Sequence, residues 1–147
     1  MTSKTSLRLQ YLIDNIPAKL MAISENDFCA KPAPNKWSKK EILGHLIDSA
    51  TNNHQRFIRT QFENVPHIVY DQNNWNSFSH YNELGSKHIV HFWAMYNKHL
   101  LEIIKRIPEA NLTKECHTGG DNNVTLAWLI DDYVVHMEHH LKQITKL

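Results

Sequence analysis

The sequence predicts an all-α fold, a four-helix bundle, on three observations. Four stretches repeat apolar residues at the three- and four-residue spacing of a helix, aperiodic segments separate them, and no stretch alternates apolar and polar residues as a strand does. Amphipathic helices must bury their apolar stripes against one another, and a bundle does so. Because 147 residues are close to the usual size of one domain, we expect a single domain over residues 1–147.

The first helix is predicted from an apolar stripe near the start of the chain. Its members are Leu9, Leu12, Ile13, Ile16, Leu20 and Ile23. Pro17 lies within this stripe and lacks the N–H group that continues a helix, so we expect a kink there. Residues 25–36 contain two prolines and have no period, and they are predicted to form a loop.

The second helix is predicted to begin after Ser38, which is a favourable N-cap residue. Glu41 follows three residues later and completes the pattern of a capping box. The inward stripe of this helix consists of Ile42, His45, Leu46, Ser49 and Asn53. His45 is therefore expected to face the interior.

Residues 64–84 lose the helical period but still contain several aromatic side chains. Unstructured connections of this length are uncommon in compact domains and usually cover something. We therefore expect a lid in which Tyr70, Asp71 and Trp75 close over a substrate, with aromatic packing against the bundle as the alternative. Arg56, on the second helix, is a candidate for binding an anionic substrate, although surface or ion-pair roles are more common for arginine.

The third and fourth helices complete the predicted bundle. The third runs from about residue 86 to residue 106, and Pro108 lies just beyond its end. Thr125 is the predicted N-cap of the fourth helix. The apolar stripe of this last helix includes Leu126, Leu129, Ile130, Tyr133, His136, His140 and Ile144.

Composition excludes several classes of function. The net charge is +1 and the 16 basic residues are scattered, so nucleic-acid binding is not expected. Neither a signal peptide nor a run of 18 apolar residues is visible, and we expect a cytoplasmic protein that does not enter a membrane. Cys29 and Cys116 lack the spacing of a cysteine-rich zinc site and are interpreted as free thiols.

Eleven histidines in 147 residues raise the expectation of a metal site. His136 and His140 are one helical turn apart, so a single cation can bridge their rings. His45 lies on the inward stripe of another helix and can join them, whereas His139 is expected to face away. Neutral imidazoles suit Zn, Ni, Cu or Fe, so the ligand type does not choose the metal. The alternative is a set of core histidines that are bonded to carboxylates or carbonyl groups.

Three segments carry a resemblance to a known family. "KWSKKEILGHLIDSATNNHQRF", at residues 36–57, resembles the second-helix signature of DinB-like proteins. "HMEHHLKQI", at residues 136–144, resembles their last helix, in which H-x3-H is followed by Gln-Ile. "VYDQNNW", at residues 69–75, is similar to a loop segment of many members. The motifs occur in the expected order and span nearly the whole chain.

The resemblance implies an up-down-down-up four-helix bundle and, in many cases, a homodimer. It places His45, His136 and His140 on the three metal-ligand positions of the family, with a divalent ion for which Zn or Ni comes first and Fe or Mn second. Some members resemble thiol-dependent transferases, such as bacillithiol transferases or mycothiol-dependent isomerases, and others are described as metal-dependent hydrolases. The fold alone does not choose the reaction.

The expected function is therefore metal-dependent catalysis on a small molecule, either transfer to a low-molecular-weight thiol or hydrolysis. Asp48 lies one turn after His45, and Asp132 lies one turn before His136. Each is a candidate general base or acceptor for a ligand N–H group, although a solvated or capping role is an equal alternative. The rival hypotheses are a dimeric, non-catalytic metal-binding stress-response module and a metal-free bundle.

Overall fold

The fold is that of a computed structural model and is described for residues 2–147. Four long helices form the bundle: α1 (Thr2–Met21), α3 (Lys39–Arg59), α5 (Ser86–Ile104) and α6 (Leu126–Leu141). Two short helices, α2 (Glu25–Cys29) and α4 (Gln72–Ser79), lie in the connections, together with 3-10 turns at Tyr81–Glu83 and Glu109–Asn111. Helices α1 and α3 each pack on both α5 and α6.

Contacts between side chains fix the direction of the outer pair, α1 and α6. Arg8 near the start of α1 pairs with Glu138, and Lys19 near its end donates to the carbonyl oxygen of Lys146 at 2.8 Å. A later residue of α1 therefore contacts a later residue in the C-terminal part of the chain. The first and last helices of the bundle are therefore parallel.

Helix α3 runs opposite to α6. The ring of His45, near the start of α3, lies 4.7 Å from the ring of His140, near the end of α6. Phe57 lies more than three turns further along α3. It packs edge to face on Tyr133, which comes earlier in α6, with 5.6 Å between the ring centroids. Later residues of α3 thus contact earlier residues of α6, so the two helices are antiparallel.

Helix α5 runs in the same direction as α3. Lys40 at the start of α3 donates to the carbonyl oxygen of Leu84, just before α5, at 2.8 Å. His54 Nδ1, late in α3, lies 3.0 Å from the hydroxyl of Tyr96 in the middle of α5. The four helices therefore run up, down, down and up, and the predicted bundle and its topology are confirmed.

The core consists of the apolar stripes that the periodicity predicts. Trp93 on α5 and Phe57 on α3 are fully buried at its centre. The α1 stripe contributes Leu9, Leu12, Ile13, Ile16 and Leu20, which are all buried. Within residues 2–147, every helix is too short or too polar to span a lipid bilayer.

Two connections contain more structure than the sequence predicts. Residues 25–29 form α2, because Ser24 accepts a hydrogen bond from the Asp27 N–H group and Phe28 is buried in the core. The 64–84 segment contains α4, where the Asp71 side chain accepts from Asn74 N at 3.0 Å. The expectation of loops throughout these two segments was wrong, since local caps start short helices in both.

Helix α1 includes Pro17 and continues to Met21, with apolar residues on both sides of the proline buried in the core. The kink expected at Pro17 stays a prediction. The expectation that strands are absent was wrong at one place. A pair of two-residue antiparallel strands, β1 (Glu115–Cys116) and β2 (Val124–Thr125), closes the turn before α6. These strands are too short to show an alternating pattern in the sequence.

Candidate metal centre

The local sequence of α3 fixes the direction in which His45 points. Ser38 Oγ accepts from Glu41 N at 3.0 Å, and Glu41 Oε1 accepts from Ser38 N at 3.3 Å, so the predicted capping box is formed. This cap sets the start of the helix, and the inward stripe follows from it. His45 is only 1% exposed.

Helix α6 supplies the other two imidazoles. The Thr125 hydroxyl caps this helix by accepting from Trp128 N at 3.2 Å, as the sequence predicts. His136 and His140 follow on successive turns, and their ring centroids are 4.6 Å apart. Because α3 and α6 are antiparallel neighbours, this pair lies opposite the first third of α3.

The rings of His45, His136 and His140 lie close together between α3 and α6. His45 Nε2 lies 3.2 Å from His136 Nε2, and the three rings can each offer a nitrogen so that these atoms lie within 4.8 Å of one another. The rings are arranged edge to face, at centroid distances of 5.1 Å for His45 with His136 and 4.7 Å for His45 with His140. Their role as ligands stays a prediction.

Burial keeps these imidazoles neutral. It lowers the pKa of His45 to about 3 and that of His136 to about 4, and the neighbouring histidines add to both shifts. The pKa of His140 is also lowered by burial, while its hydrogen bond to Gln143 opposes that change. Neutral nitrogen atoms with free lone pairs are the form that binds a metal.

The chemistry of this donor set fits a divalent transition metal. His140 Nδ1 lies 3.0 Å from Gln143 Oε1, so that nitrogen donates its proton to the amide and leaves Nε2 as the acceptor. His45 Nδ1 is buried and has no hydrogen-bond partner within residues 2–147. His45 Nε2 faces His136 Nε2 at 3.2 Å, so the lone pairs that a cation would satisfy lie between the rings, and His45 Nδ1 stays without a partner in the described chain.

An open cleft lies next to the three imidazoles. Trp37 covers one side of the cluster, with its ring 5.0 Å from that of His45. A cleft of about 530 Å³ beside the cluster has His140 and Gln143 in its wall. Its remaining lining residues are Pro32, Asn35, Lys36, Trp37, Ile42, Gln72 and Asn73. The volume is within the range of small-molecule sites.

Asp48 is buried beside the cluster and is bonded to a tyrosine. Its Oδ1 accepts from the Tyr81 hydroxyl at 2.5 Å, and its Oδ2 has no partner in the described part of the chain. Burial raises the pKa of Asp48 to about 6, and the Tyr81 hydrogen bond opposes the rise. Asp48 thus forms no hydrogen bond with the three imidazoles, and its role as a general base stays a prediction.

Asp132 and Arg56 form an electrostatic pair on the same side of the bundle. Partial burial raises the pKa of Asp132, and the Arg56 guanidinium opposes that rise. Arg56 Nη2 and Nε donate to the carbonyl oxygen of Ile68 at 2.8 and 3.2 Å, and its guanidinium lies 5.9 Å from the centre of the Tyr70 ring. In this structure Arg56 holds the 64–84 segment against α3.

The aromatic residues of the 64–84 segment pack on each other. The Tyr70 and Trp75 rings are 5.7 Å apart, and Trp75 is 37% exposed. Neither lines the cleft beside His140, where this segment contributes Gln72 and Asn73. Binding of substrate by Tyr70, Trp75 or Arg56 therefore stays a prediction and requires movement of the segment.

Sequence reasoning did not assign three residues that shape the site. Gln143 is one turn beyond His140, a spacing that could have identified it as a partner for the ligand ring. Trp37 adjoins the helix cap at Ser38, but its contact with His45 depends on how the preceding loop folds back. Tyr81 is 33 residues away from Asp48, and no local pattern indicates their hydrogen bond.

Comparisons with known proteins agree with the four-helix fold. The model of a family described as the DinB superfamily matches residues 8–144. A solved structure of YfiT from Bacillus subtilis, titled as a probable metal-dependent hydrolase with an unusual four-helix bundle topology, superposes with a TM-score of 0.83. The two share 19% identity, and the match covers 98% of this chain and 85% of that one. No curated protein sequence matches significantly.

Proposed function

This chain belongs to the DinB superfamily, and from that premise we propose that it is a divalent-metal-dependent enzyme acting on a small molecule. His45, His136 and His140 would hold the ion. The observation that carries the proposal is that a nitrogen atom from each of the three rings lies within 4.8 Å of the others, and that one of these rings, His140, lines an open cleft. Three protein ligands leave a coordination position for a reactant, as in catalytic rather than structural zinc sites.

A divalent ion at this point supplies Lewis acidity, which lowers the pKa of a thiol or of water. The protein's own residues prepare the site. Burial keeps the three imidazoles unprotonated at neutral pH, and Gln143 fixes the tautomer of His140. Trp37 packs on the ring of His45 and also forms part of the wall of the cleft. Zn or Ni is the ion we favour, with Fe or Mn as further candidates.

The reaction we favour is thiol transfer. The sulfur of a low-molecular-weight thiol forms a bond to an electrophilic carbon, the leaving group departs with its electron pair, and the thiol proton is taken up by a base. Thiolates bind borderline metals well, which favours this nucleophile. Asp48 is the proposed proton acceptor, because its pKa of about 6 leaves it ionised at neutral pH with Oδ2 unoccupied in the described chain. Asp132 is the second candidate.

Hydrolysis is the second candidate reaction. The structural neighbour YfiT is titled as a probable metal-dependent hydrolase, and its fold is shared here. In that case water replaces the thiol as nucleophile, and the same base takes its proton. Tyr70, Trp75 and Arg56 would contact the substrate in either reaction if the 64–84 segment moves.

The rival is a non-catalytic metal-binding module that forms a dimer. A site sealed by aromatic side chains would favour it, but here His140 lies in the wall of an open cleft, of which Trp37 is one lining residue. We therefore propose the enzyme, and we retain in the proposal the homodimer that the resemblance implies and the cytoplasmic location expected from the sequence.

The test begins with metal content. The protein, purified without a histidine tag and loaded with Zn or Ni, is expected to hold about one ion per chain; less than about 0.2 per chain after loading would overturn the proposal. The loaded protein is then assayed with low-molecular-weight thiols and 1-chloro-2,4-dinitrobenzene, from which chloride leaves, and with p-nitrophenyl esters. His140→Ala is expected to lose the activity, and His139→Ala, the matched control, is expected to keep it. A loaded protein inactive on every substrate of a broad panel would favour the non-catalytic module.

A further inference from the structure

The cleft beside His140 has an uneven distribution of charge. Among the described residues that line it, Lys36 carries the single full charge at neutral pH, and no carboxylate is present. A neighbouring hollow of about 320 Å³ shares Pro32, Trp37 and Ile42 with it and adds Lys31 and Lys39, with Asp27 as its acidic residue. Three lysines thus line the cleft that His140 borders and the hollow beside it, against one carboxylate.

Lys36 has no carboxylate partner in the part of the chain that the structure describes. Its neighbours differ, since Lys31 lies 3.3 Å from Glu41 and the buried Lys40 pairs with Glu25. Two acidic residues on the adjoining segments are also occupied, and Asp27 lines the neighbouring hollow and not the cleft. Glu41 closes the helix cap, and Asp71 accepts two hydrogen bonds from Asn74 at the start of α4. The Lys36 ammonium therefore remains available to a ligand in the cleft.

The rest of the lining offers an apolar wall and several amides. Trp37, Ile42 and Pro32 form the apolar part, and Trp37 also contacts His45. The amide side chains are Asn35, Gln72, Asn73 and Gln143. Gln143 uses its Oε1 on His140 Nδ1, so the amide that orients the ligand ring also lies in the wall of the cleft.

We propose that this cleft selects a small molecule with an apolar or aromatic body and a negatively charged group, and that Lys36 is the residue that recognises the charge. This inference rests on the proposed function, because it identifies the substrate class of the same site. An ammonium is a point charge without a fixed fork, so it attracts an anion without demanding the planar geometry of a bidentate contact. The body of the molecule packs on Trp37, next to the three imidazoles.

The test compares two ligands that differ only in charge, 3-phenylpropionate and 3-phenylpropionamide. Their dissociation constants are measured by calorimetry on zinc-loaded and on metal-free protein. The acid is expected to bind about threefold to tenfold more tightly than the amide in both forms. Raising the salt concentration should reduce that ratio, because the contact is partly exposed.

Substitutions test whether Lys36 causes the preference for the acid over the amide. Lys36→Gln is expected to make the dissociation constants of the acid and the amide equal. Lys36→Arg and the exposed control Lys98→Gln should leave the acid the tighter ligand. Equal binding in the unaltered protein, no binding of either ligand, or a preference that persists in Lys36→Gln would overturn the inference. Direct binding of the carboxylate to zinc would give that last result. Because the metal-free protein is tested separately, failure of the metal proposal and failure of the charge preference give different results.

Discussion

The ring of Tyr81 lies against the backbone of Gly44, the residue before His45. A Cβ at position 44 would come within 2.1 Å of Tyr81 Cδ2, and the same tyrosine donates its hydroxyl to Asp48 at 2.5 Å. One turn of α3 is therefore clamped by a side chain from the far end of the 64–84 segment. The contact requires a residue without a side chain immediately beside the metal cluster.

Gly44→Ala should destabilise the protein although alanine is the better helix former. The added methyl group must displace the Tyr81 ring, and overpacking of this kind costs about 1–3 kcal/mol, whereas helix propensity returns at most about 1 kcal/mol. Urea unfolding of the metal-free protein measures the difference. Gly120→Ala is the control, because a Cβ there has no neighbour within 4 Å. Equal stability of both variants would show that the ring gives way without resistance.

His140→Ala should weaken metal binding by more than about 100-fold, since loss of a ligand is expected to exceed the effect of losing a partner of a ligand. It should also abolish the rise in melting temperature on adding zinc, because an ion that binds only the folded state stabilises that state. Calorimetric titration and thermal unfolding measure the two effects. His139 is exposed, and His139→Ala should change neither. Similar behaviour of the two variants would contradict the assignment of faces on α6.

Features encoded within one helix could be predicted from the sequence. The capping box at Ser38 and the stripe that carries His45 depend on residues three or four positions apart, and so does the His136–His140 pair. The burial of the α1 stripe could be predicted from the same three- and four-residue spacing.

Features that depend on the path of the connections could not be predicted. Tyr81 reaches Gly44, and Trp37 covers His45, only after the loops have folded over α3. Ser24 and Asp71 cap α2 and α4, but helices of five and eight residues have too few turns to show a period, so the sequence did not predict them. The charge of the cleft likewise became apparent only when residues from three segments met.

Asp48→Asn should stabilise the metal-free protein at neutral pH and not at pH 4. Burial raises the folded-state pKa of Asp48 from 3.8 to about 6, so the stability that the protonated acid contributes is complete below pH 3.8 and is lost as the pH rises through 6. Asparagine removes this loss, which is about 1–3 kcal/mol. Urea midpoints at pH 4, 5 and 7.5 measure it, with Asp121→Asn on an exposed turn as control. A pH-independent difference would contradict the role of ionisation.

Arg56→Ala should loosen the 64–84 segment while leaving the bundle folded. The guanidinium donates twice to the Ile68 carbonyl oxygen, and losing charge-assisted hydrogen bonds from a half-buried group costs about 1–3 kcal/mol. Hydrogen exchange of amides in residues 66–75 should therefore accelerate, and that of α5 should change little. Arg59→Ala is the matched control, because its ion-pair partner, Glu63, lies outside the 64–84 segment. Unchanged exchange in residues 66–75 would show that Arg56 is not the anchor, and would favour its use on a substrate.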